Sequence, residues 1–190
     1  MAENIPQFGK NKEQNMNENN LLQNAQNRFL ADEFFMLSWA SAVQHNKVWN
    51  EIETDAEKNE FRRKMQGKIE SLLLSYADAS IESKQHIINI EQLKEFSKIE
   101  GEELKIGTVQ KLFNMMCKYY WCAGWIKEPP HLPIDRLNFE RINKKGINWT
   151  EIEDIDSYKK IIELFSEVAE KENLSLSVWE VINWHRRSAK

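Results

Sequence analysis

The stretch TVQKLFNMMCKYYWCA, residues 108–123, is the clearest helical signal in the chain. Its apolar residues recur at helical spacing and make one stripe, which consists of Leu112, Met115, Met116, Tyr119 and Cys122. Gly124 follows as a C-terminal stop signal. Residues 128–136 cannot be helical, because three prolines within five residues fix φ and remove backbone donors. The sequence therefore predicts a helix over 108–123 with a rigid loop directly behind it.

Two helices are predicted toward the N-terminus. Residues 29–43 are apolar almost all round, which is typical of a fully buried helix, so this segment is the expected central helix. Thr54-Asp55-Ala56-Glu57 has the form of a capping box and starts a second helix. Apolar residues from Phe61 to Tyr76 continue at helical spacing, and this helix is expected to end near Asp78.

The segment 81–100 carries a weaker pattern. Ile87-Ile88 indicates a short extended piece, and Asn89 is a candidate N-cap for a short helix that follows it. Gly101 and Gly107 are expected to bracket a turn that leads into the helix over 108–123.

Two further helices are predicted toward the C-terminus. Asp156 or Ser157 is expected to cap a helix that ends at Asn173. Ser177-Val178-Trp179-Glu180 has the form of a second capping box and predicts a last short helix through about His185. No segment shows the period-2 alternation of a sheet. The predicted fold is therefore all-α, an irregular bundle of about five or six helices joined by short loops.

The chain is expected to hold one domain and a tail. Residues 1–20 are rich in Asn, Gln, Glu and Lys and lack hydrophobic periodicity, which predicts a disordered N-terminal tail that is dispensable for folding. Residues 21–190 are expected to form a single helical domain, because 41% hydrophobic and 29% charged residues are an ordinary globular composition. Seven tryptophans indicate an aromatic-rich core.

Charge, hydropathy and cysteine content restrict the class of protein. A net charge of −4 and a pI of about 5.7 argue against broad coating of nucleic acid or of an anionic membrane. No stretch approaches the roughly 20 apolar residues of a membrane span, and the first residues lack an apolar signal region. No membrane association and a cytoplasmic location are therefore expected. Cys117 and Cys122 lie in a helical pattern and are expected to be reduced and buried.

The candidate binding region runs from residue 111 to residue 136. Lys111, Asn114 and Lys118 are spaced i, i+3 and i+7 and so share one helix face, and the proline loop brings further polar groups close to it. The candidate ligand-binding residues are Lys111, Asn114, Lys118, Trp121, His131, Asp135 and Arg136.

Two interpretations of this region are open. In the first it is an anion-binding pocket, where the lysines and the arginine supply charge, the asparagine supplies hydrogen bonds and a tryptophan stacks on the ligand. In the second, Asp135 pairs with Lys118 or Arg136, and the proline loop only seals the helical bundle.

No catalytic or metal-binding constellation is recognisable. The four histidines are scattered, and the zinc, Walker and dinucleotide motifs are missing, so no metal and no cofactor are expected. Cys117, in the middle of an apolar helix, is expected to be an inert thiol. These features favour a protein that is not an enzyme. An enzyme acting on a small anionic substrate, with His131 as acid–base and Asp135 orienting it, stays open as a minor hypothesis.

Three quoted stretches resemble a pattern found in small uncharacterised bacterial and phage-associated proteins. They are Gln110-Lys111-Leu112-Phe113-Asn114-Met115, Lys118-Tyr119-Tyr120-Trp121 and Pro130-His131-Leu132-Pro133-Ile134-Asp135-Arg136. Trp149-Thr150 and the segment 179–184 lie where that pattern also carries tryptophans. The resemblance covers about the last half of the chain. It implies a bacterial or mobile-element origin and names no activity.

The sequence favours a non-enzymatic helical interaction protein whose partner is another macromolecule, a protein rather than nucleic acid. The alternative is a nucleic-acid or nucleotide binder that uses residues 111–136. The first hypothesis requires an exposed apolar patch on the surface. The second requires an open, positively charged cleft. The sequence leaves the oligomeric state open.

Overall fold

The computed structural model describes residues 18–44, 46–99, 101–144 and 146–184, and within these ranges the chain is all-α. The helices are α1 (Glu18–Ala42), α2 (Lys47–Glu51), α3 (Asp55–Leu73), α4 (Ser75–Asp78), α5 (Ser83–Phe96), α6 (Ile106–Cys122), α7 (Arg136–Arg141), α8 (Ile155–Lys171) and α9 (Leu176–Asn183). A 3-10 turn at Trp149–Glu151 and an isolated bridge between Ile99 and Glu102 accompany them. The predicted all-α class is confirmed. The predicted five or six helices are too few, because α2, α4 and α7 are too short to show an apolar repeat.

Both ends of the chain differ slightly from the predicted boundaries. Helix α1 begins at Glu18, so residues 18–20 are helical and do not belong to a tail. Residues 1–17 lie outside the described residues, and the tail stays a prediction for them. The last helix ends at Asn183, before the predicted His185, which also lies outside the described residues.

Three of the helix boundaries that were predicted from the sequence are confirmed. The capping box is confirmed, because Thr54 Oγ1 accepts from the backbone of Glu57 while the Glu57 carboxylate accepts from the backbone of Thr54. The helix that starts there breaks at Leu74 and resumes as α4, which ends at the predicted Asp78. Gly124 has φ of 76°, a left-handed conformation suited to glycine, and it follows the end of α6 as predicted.

The prediction for residues 81–100 is confirmed in part, since the expected helix with Ile90, Leu93 and Phe96 exists as the second half of α5, but the expected extended piece and cap are wrong. The isoleucines at 87–88 lie in the middle of α5, which starts after Glu82, and Asn89 is a buried interior residue of that helix instead of its cap. Asn89 can lie there because its amide donates to the buried Tyr76 hydroxyl and accepts from Gln85 on the previous turn. Gly107 is part of the first turn of α6, so only Gly101, with φ of 91°, makes the expected turn.

The two caps near the C-terminus lie two or three residues before the predicted Asp156 or Ser157, and two residues before the predicted Ser177. Asp154 caps α8, and its carboxylate accepts a hydrogen bond from the backbone of Ser157. Ser175 caps α9 in the same way through Val178. Ser177 is buried within α9, and its hydroxyl donates to the carbonyl of Pro129 at 2.7 Å, so it fastens the proline loop.

The central helix of the fold is α6 and not the segment 29–43. Every residue of α6 from Ile106 to Asn114 is buried, since the helix is surrounded by α1, α3, α5, α8 and the 3-10 turn. Helix α1 lies against one side of it, with Phe34 stacked on Tyr119 at a centroid distance of 5.2 Å. Trp39 is buried as expected, but the opposite face of α1 is exposed.

The cysteine prediction holds for one residue of two. Cys117 is buried in α6, and burial raises the pKa of its thiol well above the usual value, which makes it unreactive. Cys122, at the end of the same helix, is exposed. Both are free thiols.

Candidate functional site

The predicted site residues do not line one open concavity. Asn114 is 0% exposed and His131 is 1% exposed, so neither can reach a ligand in solution without local opening. Trp121 packs partly buried against the core. Arg136 is exposed and forms an ion pair with Glu140, the residue four positions later in α7, at 3.5 Å.

Lys111 is held between a carboxylate and an indole ring. Its Nζ atom lies 3.7 Å from Asp135 Oδ2 and 4.3 Å from the centroid of Trp149. Burial lowers the pKa of Lys111, and the nearby Asp135 carboxylate partly opposes that shift. Asp135 also accepts from the backbone of Asn138 and caps α7. The ammonium group therefore has an electrostatic partner and an aromatic partner within the fold.

Lys118 pairs with a residue outside the predicted site. Its Nζ atom lies 2.9 Å from Glu180 Oε1, which joins α6 to α9. The side chains are only 13% and 3% exposed, so this is a buried ion pair. The predicted pairing of Lys118 with Asp135 is wrong, because Asp135 faces Lys111, two helical turns away along α6.

A hydrogen-bonded network begins in α5 and runs through the core. The amide of Asn89 donates to Tyr76 Oη at 2.9 Å, and Tyr76 therefore gives its own proton to His86 Nδ1 at 2.8 Å. That leaves the other ring nitrogen of His86, Nε2, to donate to Asn114 Oδ1 at 2.6 Å. The direction of the bonds thus fixes His86 as a neutral imidazole protonated on Nε2.

The network continues from Asn114 to the proline loop. The amide nitrogen of Asn114 lies 3.1 Å from Tyr158 Oη, and Tyr158 in turn donates to His131 Nδ1 at 2.8 Å. His131 Nε2 then donates to the exposed Ser83 hydroxyl at 2.8 Å. The network therefore reaches the surface again at the first residue of α5. Both ring nitrogens of His131 are occupied by Tyr158 and Ser83.

Burial favours the neutral form of the two core histidines. Burial lowers the pKa of His86 to about 4 and lowers that of His131 well below its usual value. The rings lie 4.7 Å apart, centroid to centroid, so protonation of one disfavours protonation of the other. Because Tyr158 and Ser83 hold its nitrogens, His131 does not show the Asp135 partnership that the minor enzyme hypothesis requires.

Side-chain amides of α6 hold the proline loop by its backbone. The carboxamide of Gln110 donates to the carbonyl of Ile134 and accepts from its N–H, at 2.8 Å and 3.0 Å. Asn114 donates to the carbonyl of Leu132 at 3.0 Å. These bonds satisfy backbone groups that proline-rich chain cannot pair in a helix or sheet. The placements favour the structural interpretation of residues 111–136.

A shallow cleft lies beside the predicted region, between α7 and the 3-10 turn. It has a volume of about 350 Å³ and is lined by Arg136, Lys144, Asn148 and Trp149, among others. Glu140 also lines it and pairs with Arg136, which removes part of its positive charge.

The outer face of α1 exposes five large apolar side chains. It consists of Leu22, Phe29, Leu30, Met36 and Leu37, which are 57%, 64%, 39%, 43% and 46% exposed. At 100° per residue these side chains lie opposite the buried stripe that contains Ala31, Phe35 and Ala42. The sequence did carry this signal, since residues 29–43 are apolar almost all round. The prediction of complete burial is wrong, because the rest of the chain covers only one face of α1.

Within the described residues, none of the helices combines the length and apolar character needed to span a bilayer. No family model matches the sequence, and neither a curated protein nor a solved structure matches it. The resemblance to bacterial and phage-associated proteins stays a prediction.

Proposed function

We propose that this protein is a non-enzymatic helical interaction protein that binds another protein through the outer face of α1. The observation that supports the proposal is the exposure of five large apolar side chains on one face of a 25-residue helix. Contiguous apolar surface of more than a few hundred Å² is uncommon on proteins that work alone and marks interaction sites.

The exposed face is organised and not scattered. Leu22, Phe29 and Met36 follow one another at intervals of seven residues, as do Leu30 and Leu37. A seven-residue repeat keeps apolar side chains on a single line along a helix, and such a line is what a second helix packs against. The two rows lie about 100° apart around the helix, with the exposed Gln26 and Glu33 between them, so the proposed partner surface is apolar with a polar group at its centre.

The described residues offer less support for nucleic acid as the partner. Lys111 and Lys118 are directed into ion pairs with Asp135 and Glu180, at 3.7 Å and 2.9 Å. A phosphate contact would have to break those pairs. The cleft at Arg136 is shallow and contains Glu140.

Site-specific photo-crosslinking tests the proposal. The photoreactive residue p-benzoylphenylalanine is placed at position 29 in the full chain, which is then irradiated in an extract of the cells that naturally produce it. We expect a discrete covalent adduct with a polypeptide, a second copy of this chain included, because position 29 lies in the middle of the outer face.

Position 96 provides the matched control. Phe96 is also an aromatic residue on a helix surface, 44% exposed, but it lies on α5. The same photoreactive residue at position 96 should give none of the adducts seen from position 29. If position 29 captures no polypeptide, or only what position 96 captures, the outer face is not a docking surface and the proposed function is rejected.

A further inference from the structure

We propose that residues 129–134 of the proline loop form an acid-released latch, in which protonation of His131 detaches this segment from α5 and α8 while the helices stay folded. The latch is independent of the docking function, because it depends on the buried hydrogen-bonded network and not on the outer face of α1. It assigns the response to acid to one histidine and names the segment that moves.

The hydrogen bonds of His131 leave no place for a second proton. Its Nδ1 atom accepts from Tyr158 Oη at 2.8 Å, while Nε2 donates to Ser83 Oγ at 2.8 Å. A protonated imidazole donates from both nitrogens, so Nδ1 would have to donate to a hydroxyl that already donates to it. Tyr158 cannot turn its proton toward Asn114, because the amide nitrogen that it meets there, at 3.1 Å, is also a donor. Protonation of Nδ1 therefore leaves one proton without an acceptor among these partners.

The groups around the two histidine rings offer no negative charge to a protonated His131. They are Tyr76 of α4, Ser83 of α5, Asn114 of α6 and Tyr158 of α8, and the Cys117 thiol of α6 lies beside both tyrosine hydroxyls. All five are neutral near pH 7, and the neighbouring His86 ring disfavours a proton on His131 further. A charged imidazole would therefore be stabilised by moving into water.

Of the two histidines, His131 is the one placed to leave the core. His86 lies inside α5, where the helix backbone holds it. His131 lies in irregular chain, and its Nε2 atom already contacts the exposed Ser83. Fixed points stand on either side of the segment, since Lys127 N–H donates to the Tyr76 carbonyl at 2.8 Å and Asp135 caps α7.

The segment can open without breaking a helix. Side chains of α6, α7 and α9 fasten its backbone, namely Gln110, Asn114, Asn138 and Ser177. Its three prolines fix φ, so the chain cannot turn His131 outward by rotation at one residue alone. Movement of His131 into solvent therefore displaces the segment as a unit, which is a local opening and not global unfolding.

Amide hydrogen exchange of the isotope-labelled full chain, followed by NMR between about pH 5 and pH 7.5, tests the latch. The reporter is the Ile134 N–H, which Gln110 binds at 3.0 Å, and the reference is the N–H of Met116 inside α6. After correction for intrinsic exchange rates, the opening constant at Ile134 should rise about thirtyfold from the higher pH to the lower. This is the effect of solvating one histidine whose pKa in water is about 6.5. Opening at Ile134 should not depend on urea below the unfolding transition, whereas opening at Met116 should require global unfolding.

Two results from the wild type would overturn the latch. The first is an equal opening constant and equal urea dependence at Ile134 and Met116, because the segment would then open only with the whole fold. The second is a rise of about a thousandfold at Ile134, which is expected when both core histidines become solvated.

Three variants test whether His131 holds the segment. Ser83→Ala removes its surface partner and should increase opening at Ile134 about fivefold at every pH, as the loss of one hydrogen bond does. Ser80→Ala, the same change at another exposed serine, should have no effect. His131→Asn keeps an oxygen acceptor for Tyr158 but does not titrate, so the thirtyfold rise should disappear. If His131→Asn does not fold, equal opening in the two serine variants still overturns the latch.

Discussion

Lys118 Nζ and Glu180 Oε1 lie 2.9 Å apart in the interior, and this pair joins the central helix α6 to the last helix α9. The other oxygen of the carboxylate, Oε2, is buried without a hydrogen-bond partner among the described residues. Among the described residues, Lys118 is the one cation that compensates the charge of this carboxylate. A buried charge that loses its only partner is strongly destabilising.

A double-mutant cycle on this pair is the first prediction. Lys118→Met should lower the free energy of unfolding by about 3–5 kcal/mol, because it leaves the Glu180 carboxylate buried and uncompensated. Lys118→Met combined with Glu180→Leu should recover much of that loss, since both residues take part in one interaction. Urea denaturation of the four proteins measures the coupling.

Asp135 supplies the control for this cycle. It is the partner that the sequence suggested for Lys118, but it lies 3.7 Å from Lys111 instead. Lys118→Met and Asp135→Leu should therefore act nearly additively, within about 0.5 kcal/mol. A strong coupling between Lys118 and Asp135, with none to Glu180, would contradict the arrangement described above.

The two faces of α1 lead to the second prediction. Trp39 is 2% exposed and packs edge-on against Trp49 and Phe61, so Trp39→Ala should cost about 3–5 kcal/mol through lost burial and a cavity. Phe29→Ala, on the outer face of the same helix, should change the stability of a dilute, monomeric sample by about 0.5 kcal/mol or less. Thermal or chemical denaturation at low protein concentration compares the two. Equal losses would mean that the outer face is covered within a single chain.

The sequence predicted those elements that are specified by neighbouring residues. The capping box at Thr54, the proline loop and the helix over 108–123 depend on patterns a few residues long, and each was recognised. The missed features depend on distant contacts. The residues next to Asn89 suggest that it caps a helix. The hydroxyl of Tyr76, in another helix, accepts a hydrogen bond from its amide, and this allows Asn89 to lie inside α5.

The candidate site was harder to predict from the sequence, because it too depends on contacts between distant residues. Spacing placed Lys111, Asn114 and Lys118 correctly on one helix, but it could not reveal that Glu180, 62 residues further on, takes the ion pair. Burial of His131 likewise depends on Tyr158 and α5. The apolar pattern of α1 was visible in the sequence. Which face of α1 the rest of the chain covers is decided by tertiary packing.

The third prediction concerns the stability of the fold in acid. The pKa of His86 is lowered to about 4 by burial, whereas an exposed histidine titrates near 6.5. As pH falls below 6.5 the unfolded chain binds a proton that the folded chain does not, so the free energy of unfolding decreases. The slope for one such histidine approaches about 1.4 kcal/mol per pH unit. His131, whose pKa is lowered in the same direction, adds to the effect.

Proton NMR of the imidazole rings provides the direct measurement for this prediction. The ring signals of His86 and His131 should not titrate between about pH 5 and pH 8 in the folded protein. Glu70 contributes to the pH dependence of the free energy of unfolding with the opposite sign. Burial raises the pKa of its carboxyl, so the folded state binds a proton more readily than the unfolded state. A Glu70→Gln background removes that opposing contribution when denaturation is followed against pH. A titration of either ring near its ordinary pKa would show that the network opens to solvent.

The fourth prediction compares two helical glycines. Gly107 lies in the first turn of α6, where an added Cβ would come within 1.9 Å of the Trp149 carbonyl oxygen. The backbone of the 3-10 turn would have to move, and it is tied to Gly107 by the bond from Gly107 N–H to the Ile152 carbonyl. Gly107→Ala should therefore lower the free energy of unfolding by about 1–3 kcal/mol, as overpacking does.

Gly67, inside α3, has open space where an added Cβ would lie. Gly67→Ala should instead stabilise the protein by about 0.5–1 kcal/mol, because alanine loses less backbone entropy in a helix. Chemical denaturation of the two variants must give opposite signs, and a stabilising Gly107→Ala would mean that the 3-10 turn does not pack on α6.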